Sequence, residues 1–218
     1  MNDPNPHLVE RMQGHRLSIF AEMSTLALET GAINLGQGFP DTDGPSEVLD
    51  AAVAAIRAGH NQYPPDRGIP ELRQAVADHQ RRFYGLDVDP ADVMVSTGAS
   101  EALGASILAL VEPGQEVVVF EPYFDLYAAI IELAGGVRRS VTLRAPDYSF
   151  DEADLEAAVG PDTRLILLNT PHNPTGKVFS SDELAAIARV ALQHDLLVVT
   201  DEVYEHMTYD GIRHVPLA

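Results

Sequence analysis

The run NTPHNPTGK, from Asn169 to Lys177, holds the one lysine of the sequence, against thirteen arginines. A lysine in a loop is either a nucleophile activated by its surroundings or a solvated cation. Further on, an apolar run ends in Asp201-Glu202-Val203-Tyr204. A carboxylate leaving a buried strand is costly unless it meets a partner. A cationic ring nitrogen is a good one, because opposite charge favours ionisation of both groups. Tyr204, three residues on, can bring its hydroxyl to the same cavity. In STGAS, Gly98, Ala99 and Ser100 open a helical pattern. Backbone amides there, with the positive end of a helix dipole, suit a phosphate, although a plain tight turn reads the same way. Phe124, just beyond another apolar run, is open between core and a platform for a flat ring. NPTG, with Asn173, is a turn signal when read alone.

These groups need elements to position them. From residue 45 the pattern alternates between helical and strand periods. PSEVLDAAVAAIRAG has Pro45 at a helix start and Gly59 as a stop, and IPELRQAVADHQRRFYG repeats that grammar with Gly85 closing it. Strands are expected at DVMVS, EVVVFE, RRSVTL, RLILLN and LLVVT, each followed by a helical segment or a site motif. Ser180 and Glu183 have the spacing of a capping box. The short, β-branched or leucine-rich runs fit strands buried on both faces of a parallel sheet. Such an alternation predicts an α/β layered fold with right-handed crossovers. Ligands in these sheets sit at the carboxyl ends of the strands, where Gly98–Ser100, Phe124, Asn173 and Asp201 with Tyr204 all fall. Four strand ends with four chemistries read as one site.

Composition narrows the classes. With 33 acidic against 14 basic residues the net charge is −19, and no basic stripe compensates, so nucleic acid is excluded as a partner. The absence of cysteine rules out a disulfide framework, and no stretch approaches a membrane span, so a cytoplasmic address is expected. The N-terminus lacks the order of a secretory signal. His7, His15, His60, His79, His194, His206 and His214 are scattered without metal-ligand spacing, so no metal site is expected. His172, beside Asn173, is placed to line the pocket.

Six segments in register, NLGQGFPD (34–41), NQYPP (61–65), STGASEAL, EPYFDLY, NTPHNPTGKV and TDEVYEHMTYDG, together resemble the class I/II aminotransferases that use pyridoxal 5′-phosphate. Among these the chain is similar to the branch holding succinyldiaminopimelate, methionine and kynurenine aminotransferases, from about Leu17 to the last residue. The resemblance implies fold type I: a mainly parallel sheet with helices on both faces. Residues 1–44 would form an N-terminal arm and helix, and 45–218 an incomplete large cofactor-binding domain. It also implies a homodimer acting on an amino acid and a 2-oxo acid.

Roles follow from the resemblance residue by residue. Asp201 would pair with the pyridinium nitrogen, which lets the ring accept the electrons of a substrate carbanion. Asn173 and Tyr204 would hydrogen-bond the ring 3-oxygen, and Phe124 would stack on the ring face. Amides around Gly98, Ala99 and Ser100 would hold the phosphate. Tyr63 would reach across the dimer towards the partner's cofactor, and Gly36 would sit close to the substrate carboxylate. The family's Schiff-base lysine lies beyond the Asp-x-x-Tyr element, outside these 218 residues, as do the phosphate-gripping and carboxylate-clamping arginines. Lys177 aligns elsewhere and is expected as a solvated loop residue, and the chain alone is expected to be inactive. A carbon–sulfur β-lyase on the same pocket, or a non-catalytic remnant, are the alternatives. The amino donor stays open between succinyldiaminopimelate, methionine, kynurenine and glutamine.

Overall fold

The structure is a computed structural model that describes residues 6–14, 19–36, 38 and 42–218. Leu17, His15 and, within the 34–41 segment, Gln37, Phe39, Pro40 and Asp41 lie outside the described residues. The helices are Ile19–Thr30 (α1), Ser46–Arg57 (α2), Pro70–Tyr84 (α3), Gly98–Leu110 (α4), Leu126–Leu133 (α5), Glu152–Ala158 (α6) and Ser181–Gln193 (α7). The strands are Glu116–Glu121 (β1), Val137–Thr142 (β2), Thr163–Asn169 (β3) and Leu197–Asp201 (β4).

The four strands form one parallel sheet in the order β2-β1-β3-β4. Side chains alternate across a strand, so neighbouring residues enter opposite cores. Val118, Phe120, Ile166 and Leu168 pack on one face against Leu155 of α6 and Leu184, Ile187 and Val190 of α7. Val117, Val119, Leu165 and Leu167 pack on the other against Leu103 and Ile107 of α4 and Tyr127, Ile130 and Ile131 of α5. Each fully buried aliphatic side chain contributes about 1.5–3 kcal/mol relative to exposure. Both faces of the central strands are thus dry, which is why EVVVFE and LILL read as continuous rather than alternating apolar runs.

The caps follow the expected chemistry. Gly85 ends α3 with φ +72°, a left-handed conformation that costs glycine little. Ser180 accepts from the Glu183 amide while the Glu183 carboxylate accepts from the Ser180 amide, closing a capping box on α7.

One strand expected from the sequence is not formed. Val93–Ser96 lies in no ladder; the Val95 amide donates instead to the Arg67 carbonyl at 3.1 Å. Apolar, β-branched residues favour an extended chain, but a strand also needs a paired neighbour, and among the described residues this segment has none. Helices α1 and α2 bury no residue. No helix among the described residues is long and apolar enough to cross a membrane.

Candidate active site at the carboxyl ends of the strands

The site grows from the last residues of β3 and β4. Asn169 ends β3 and is buried; its side-chain amide donates to the Asp201 carbonyl at 2.9 Å, and its Oδ1 accepts from the Asn173 amide at 2.6 Å. One side chain therefore ties the Asn173 turn to the end of β4. Asp201, 8% exposed, is the last residue of β4. Its Oδ2 accepts from the Tyr127 hydroxyl at 2.7 Å and its Oδ1 from the Val203 amide at 3.2 Å. Burial, and then the bond to the Asp201 carboxylate, push the Tyr127 phenol well above its usual pKa. It remains a donor throughout the physiological range and fixes how the carboxylate points.

These residues open onto a cavity of about 1040 Å³, at the upper end of the range for small-molecule sites. Ala99 and Ser100 line it from the first turn of α4, whose leading amides have no acceptor within the helix. Phe124 lines it with a half-buried ring, in edge contact with Tyr127 and tilted against Phe20 of α1. Asn173 and Tyr204 line it beside Asp201, and Gly36 lines it from the N-terminal segment. The cavity lining joins helix-terminus amides, an aromatic ring, an amide, a phenol and an oriented carboxylate. That set suits a flat, phosphorylated, cationic heterocycle.

Two expected residues, Gly98 and Lys177, sit differently. Gly98 has φ +80° and does not line the cavity, because its amide donates to the Ser96 carbonyl at 2.9 Å. The part of the turn that lines the cavity is therefore Ala99–Ser100, while the Glu101 carboxylate takes the Thr97 amide. Tyr63 is fully exposed and does not line the cavity of its own chain. Lys177 is not the solvated loop residue expected from the sequence. Its side chain is 9% exposed, with Nζ 2.8 Å from the Glu183 carboxylate and 5.3 Å from the Phe179 ring centre. An ammonium on a short loop is covered here because the α7 cap supplies a carboxylate partner within reach. Lys177 does not line the cavity.

His172 is buried but also does not line the main cavity; it borders a second, more open void of about 350 Å³ behind Asn173 and Tyr204. Burial lowers its pKa to about 4, and its Nδ1 lies 2.7 Å from the Thr175 hydroxyl. Sequence reasoning missed Asn169 and Tyr127. The sign for Asn169 was its place at the end of an apolar run, which is the position that flagged Asp201. Tyr127 gives no local sign, since its partner is 74 residues away.

Comparison with known proteins places the chain and its fold in one family. The sequence profile described as aminotransferase class I and II matches residues 30–217. The solved N-succinyldiaminopimelate aminotransferase from Mycobacterium tuberculosis superposes with a TM-score of 0.93 at 49% identity, covering 96% of this chain and 56% of that one. The methionine aminotransferase of Escherichia coli is 41% identical over 198 residues, covering 90% of this chain and 51% of its own length. Kynurenine–oxoglutarate transaminase 3 of Mus musculus is 37% identical over 221 residues, covering 96% of this chain and 49% of its own length. The chain spans about half the length of the curated relatives it matches. With a match over most of its residues and a parallel α/β fold to carry it, the chain belongs to the class I and II aminotransferase family.

Proposed function

We propose that this chain builds the cofactor-binding part of a pyridoxal-phosphate-dependent aminotransferase that moves an amino group between an amino acid and a 2-oxo acid. The observation that carries the reading is the joining of Asp201, Phe124, Asn173, Tyr204 and the α4 turn Ala99–Ser100 around one cavity. When bound, pyridoxal 5′-phosphate supplies an electron-accepting ring for the carbanion generated at the substrate α-carbon.

The protein's part is to bind, orient and hold protons. Asp201, aimed by Tyr127, would keep the ring nitrogen protonated. The Ala99 and Ser100 amides would take the phosphate, each such helix-terminus interaction contributing about 0.3–1 kcal/mol when exposed. Phe124 would cover one ring face, for about 0.5–1.5 kcal/mol beyond its buried area. Asn173 and Tyr204 would donate to the ring 3-oxygen. Gly36, whose absent side chain leaves its backbone open to the cavity, would admit the substrate carboxylate. Tyr63, fully exposed on its own subunit, would act across a homodimer interface. Lys177, paired with Glu183, takes no part, and these 218 residues alone are inactive.

Binding is tested with 4′-deoxypyridoxine phosphate, which lacks the aldehyde and cannot label amines indiscriminately. The chain should bind it at least tenfold more tightly than unphosphorylated 4′-deoxypyridoxine, and equal affinity would contradict the phosphate assignment. Turnover is tested on protein extended to the length of its relatives, with succinyldiaminopimelate, methionine, kynurenine and glutamine as donors to 2-oxoglutarate. Release of pyruvate and ammonia from cystathionine, without a 2-oxo acid, would assign elimination instead. Turnover by the 218-residue chain would refute the stated role of Lys177.

A further inference from the structure

Away from the cavity, helix α3 meets the turn that follows Tyr204. His79 of α3 places its Nε2 3.0 Å from Oε1 of Glu205, and His206 places its Nε2 3.8 Å from the same oxygen. The three donor atoms all lie within 4.8 Å of one another. No metal site was expected from the spacing of the histidines, because 126 residues separate His79 from Glu205.

We propose that His79, Glu205 and His206 bind a borderline divalent metal ion of the zinc class, which clamps α3 to the segment carrying Tyr204. The ligand chemistry selects the ion. Two imidazole nitrogens and one carboxylate oxygen suit zinc and its neighbours, whereas calcium and magnesium prefer sites made of oxygen alone. Nitrogen and oxygen ligands about 2.0–2.2 Å from a tetrahedral ion lie roughly 3.3–3.5 Å apart. The separations of 3.0 and 3.8 Å bracket that range. Closure needs a small turn of His206, and its side chain, 54% exposed, is free to make it and leaves an entry path. Three protein ligands leave a fourth position for water.

The surroundings hold the ligands in place. The Phe83 ring lies 4.6 Å from the His79 ring and 4.9 Å from the His206 ring, so one side chain packs against both imidazoles. The Tyr84 ring packs edge-on against the His79 ring at 6.1 Å, a further contact that holds this imidazole. Glu202, held by His214 at 3.0 Å, adds negative charge on the same segment, and Arg82, over the Phe83 ring, adds positive charge from α3. The net charge of −19 raises the local concentration of cations. Because Glu205 and His206 directly follow Tyr204, an ion here would steady the backbone on which that phenol rides. The site stands independently of the cofactor reading.

The test is equilibrium dialysis of the chelator-stripped 218-residue chain against Zn²⁺, with His79→Gln, Glu205→Gln and His206→Gln beside it. His60→Gln and His194→Gln serve as controls away from the cluster. One ion per chain is expected, with affinity at least tenfold weaker in each cluster variant and unchanged in both controls. Zn²⁺ should also raise the melting temperature of the wild type and not that of His206→Gln, whose exposed side chain makes it the variant best able to fold. Failure of the wild type to take up one ion per chain would overturn the site. So would equal uptake by His206→Gln, which would leave His79–Glu205 as an ordinary hydrogen-bonded pair.

Discussion

Replacing Tyr127 by Phe removes one hydroxyl and keeps the buried ring, so it isolates the bond that aims Asp201. The hydroxyl lies 2.7 Å from Oδ2, and without it the carboxylate keeps, among the described residues, the Val203 amide at 3.2 Å. A buried hydrogen bond to a charged group contributes about 1.5–3 kcal/mol. In a chain of this size each kcal/mol shifts the melting temperature by about 2–4 °C, so a fall of about 3–12 °C is expected. Truncation of Asp201 is harder to interpret alone, because it removes a desolvated charge and also strands the phenol. A double-mutant cycle of Tyr127→Phe and Asp201→Ala, measured by urea unfolding at neutral pH, separates these effects. The expected coupling is about 1.5–3 kcal/mol, with the double variant less destabilised than the sum of the single variants. Additivity within about 0.5 kcal/mol would show that the phenol does not hold the carboxylate.

His172 is buried with its pKa lowered to about 4 from the ordinary 6.5, so the unfolded chain binds the proton more readily than the folded one. Its contribution is therefore complete above about pH 6.5 and is lost as pH falls towards 4. It amounts to about 3 kcal/mol at most, and His172→Gln should flatten the stability profile in that window. Gly68→Ala should destabilise the chain by about 2 kcal/mol or more, because φ is +95° and the new methyl would lie 2.5 Å from a Val95 methyl. Gly104→Ala, inside α4 with nothing within 4 Å of the added carbon, should stabilise by about 0.5–1 kcal/mol. A denaturation series that reverses this order would show that the glycine contacts are misplaced. Lys177→Met should cost about 1–3 kcal/mol by removing the cation beside the Glu183 carboxylate, which keeps its bond to the Ser180 amide, while binding of 4′-deoxypyridoxine phosphate stays unchanged.

Much of this was legible in the residues alone, where one segment carries both the signal and its cause. The capping box of α7 and the glycine end of α3 depend on atoms a few residues apart, and both form as read. The apolar runs at β1 and β3 announced burial on two faces, and the packing on each side bears this out, whereas β4 ends the described sheet with Leu197 exposed and Val198, Val199 and Thr200 half-buried. What stayed hidden depends on distant partners. Val93–Ser96 has the composition of a strand but, among the described residues, no neighbour to pair with. Tyr127 and Asn169 matter through Asp201, which lies in a different part of the chain. Lys177 looked solvated because its covering partners, Glu183 and Phe179, belong to the cap of the next helix rather than to the turn itself. His79 and His206 meet only because α3 packs beside the turn after β4.

The most direct test of the central claim is the protonation state of the bound ring nitrogen. 4′-Deoxypyridoxine phosphate labelled with ¹⁵N at that position is added to the chain at a pH where the free compound is unprotonated. The ¹⁵N shift should report a protonated nitrogen in the wild type and an unprotonated one in Asp201→Ala. A bound nitrogen that is unprotonated in the wild type, or protonated equally in both, would contradict the role given to Asp201.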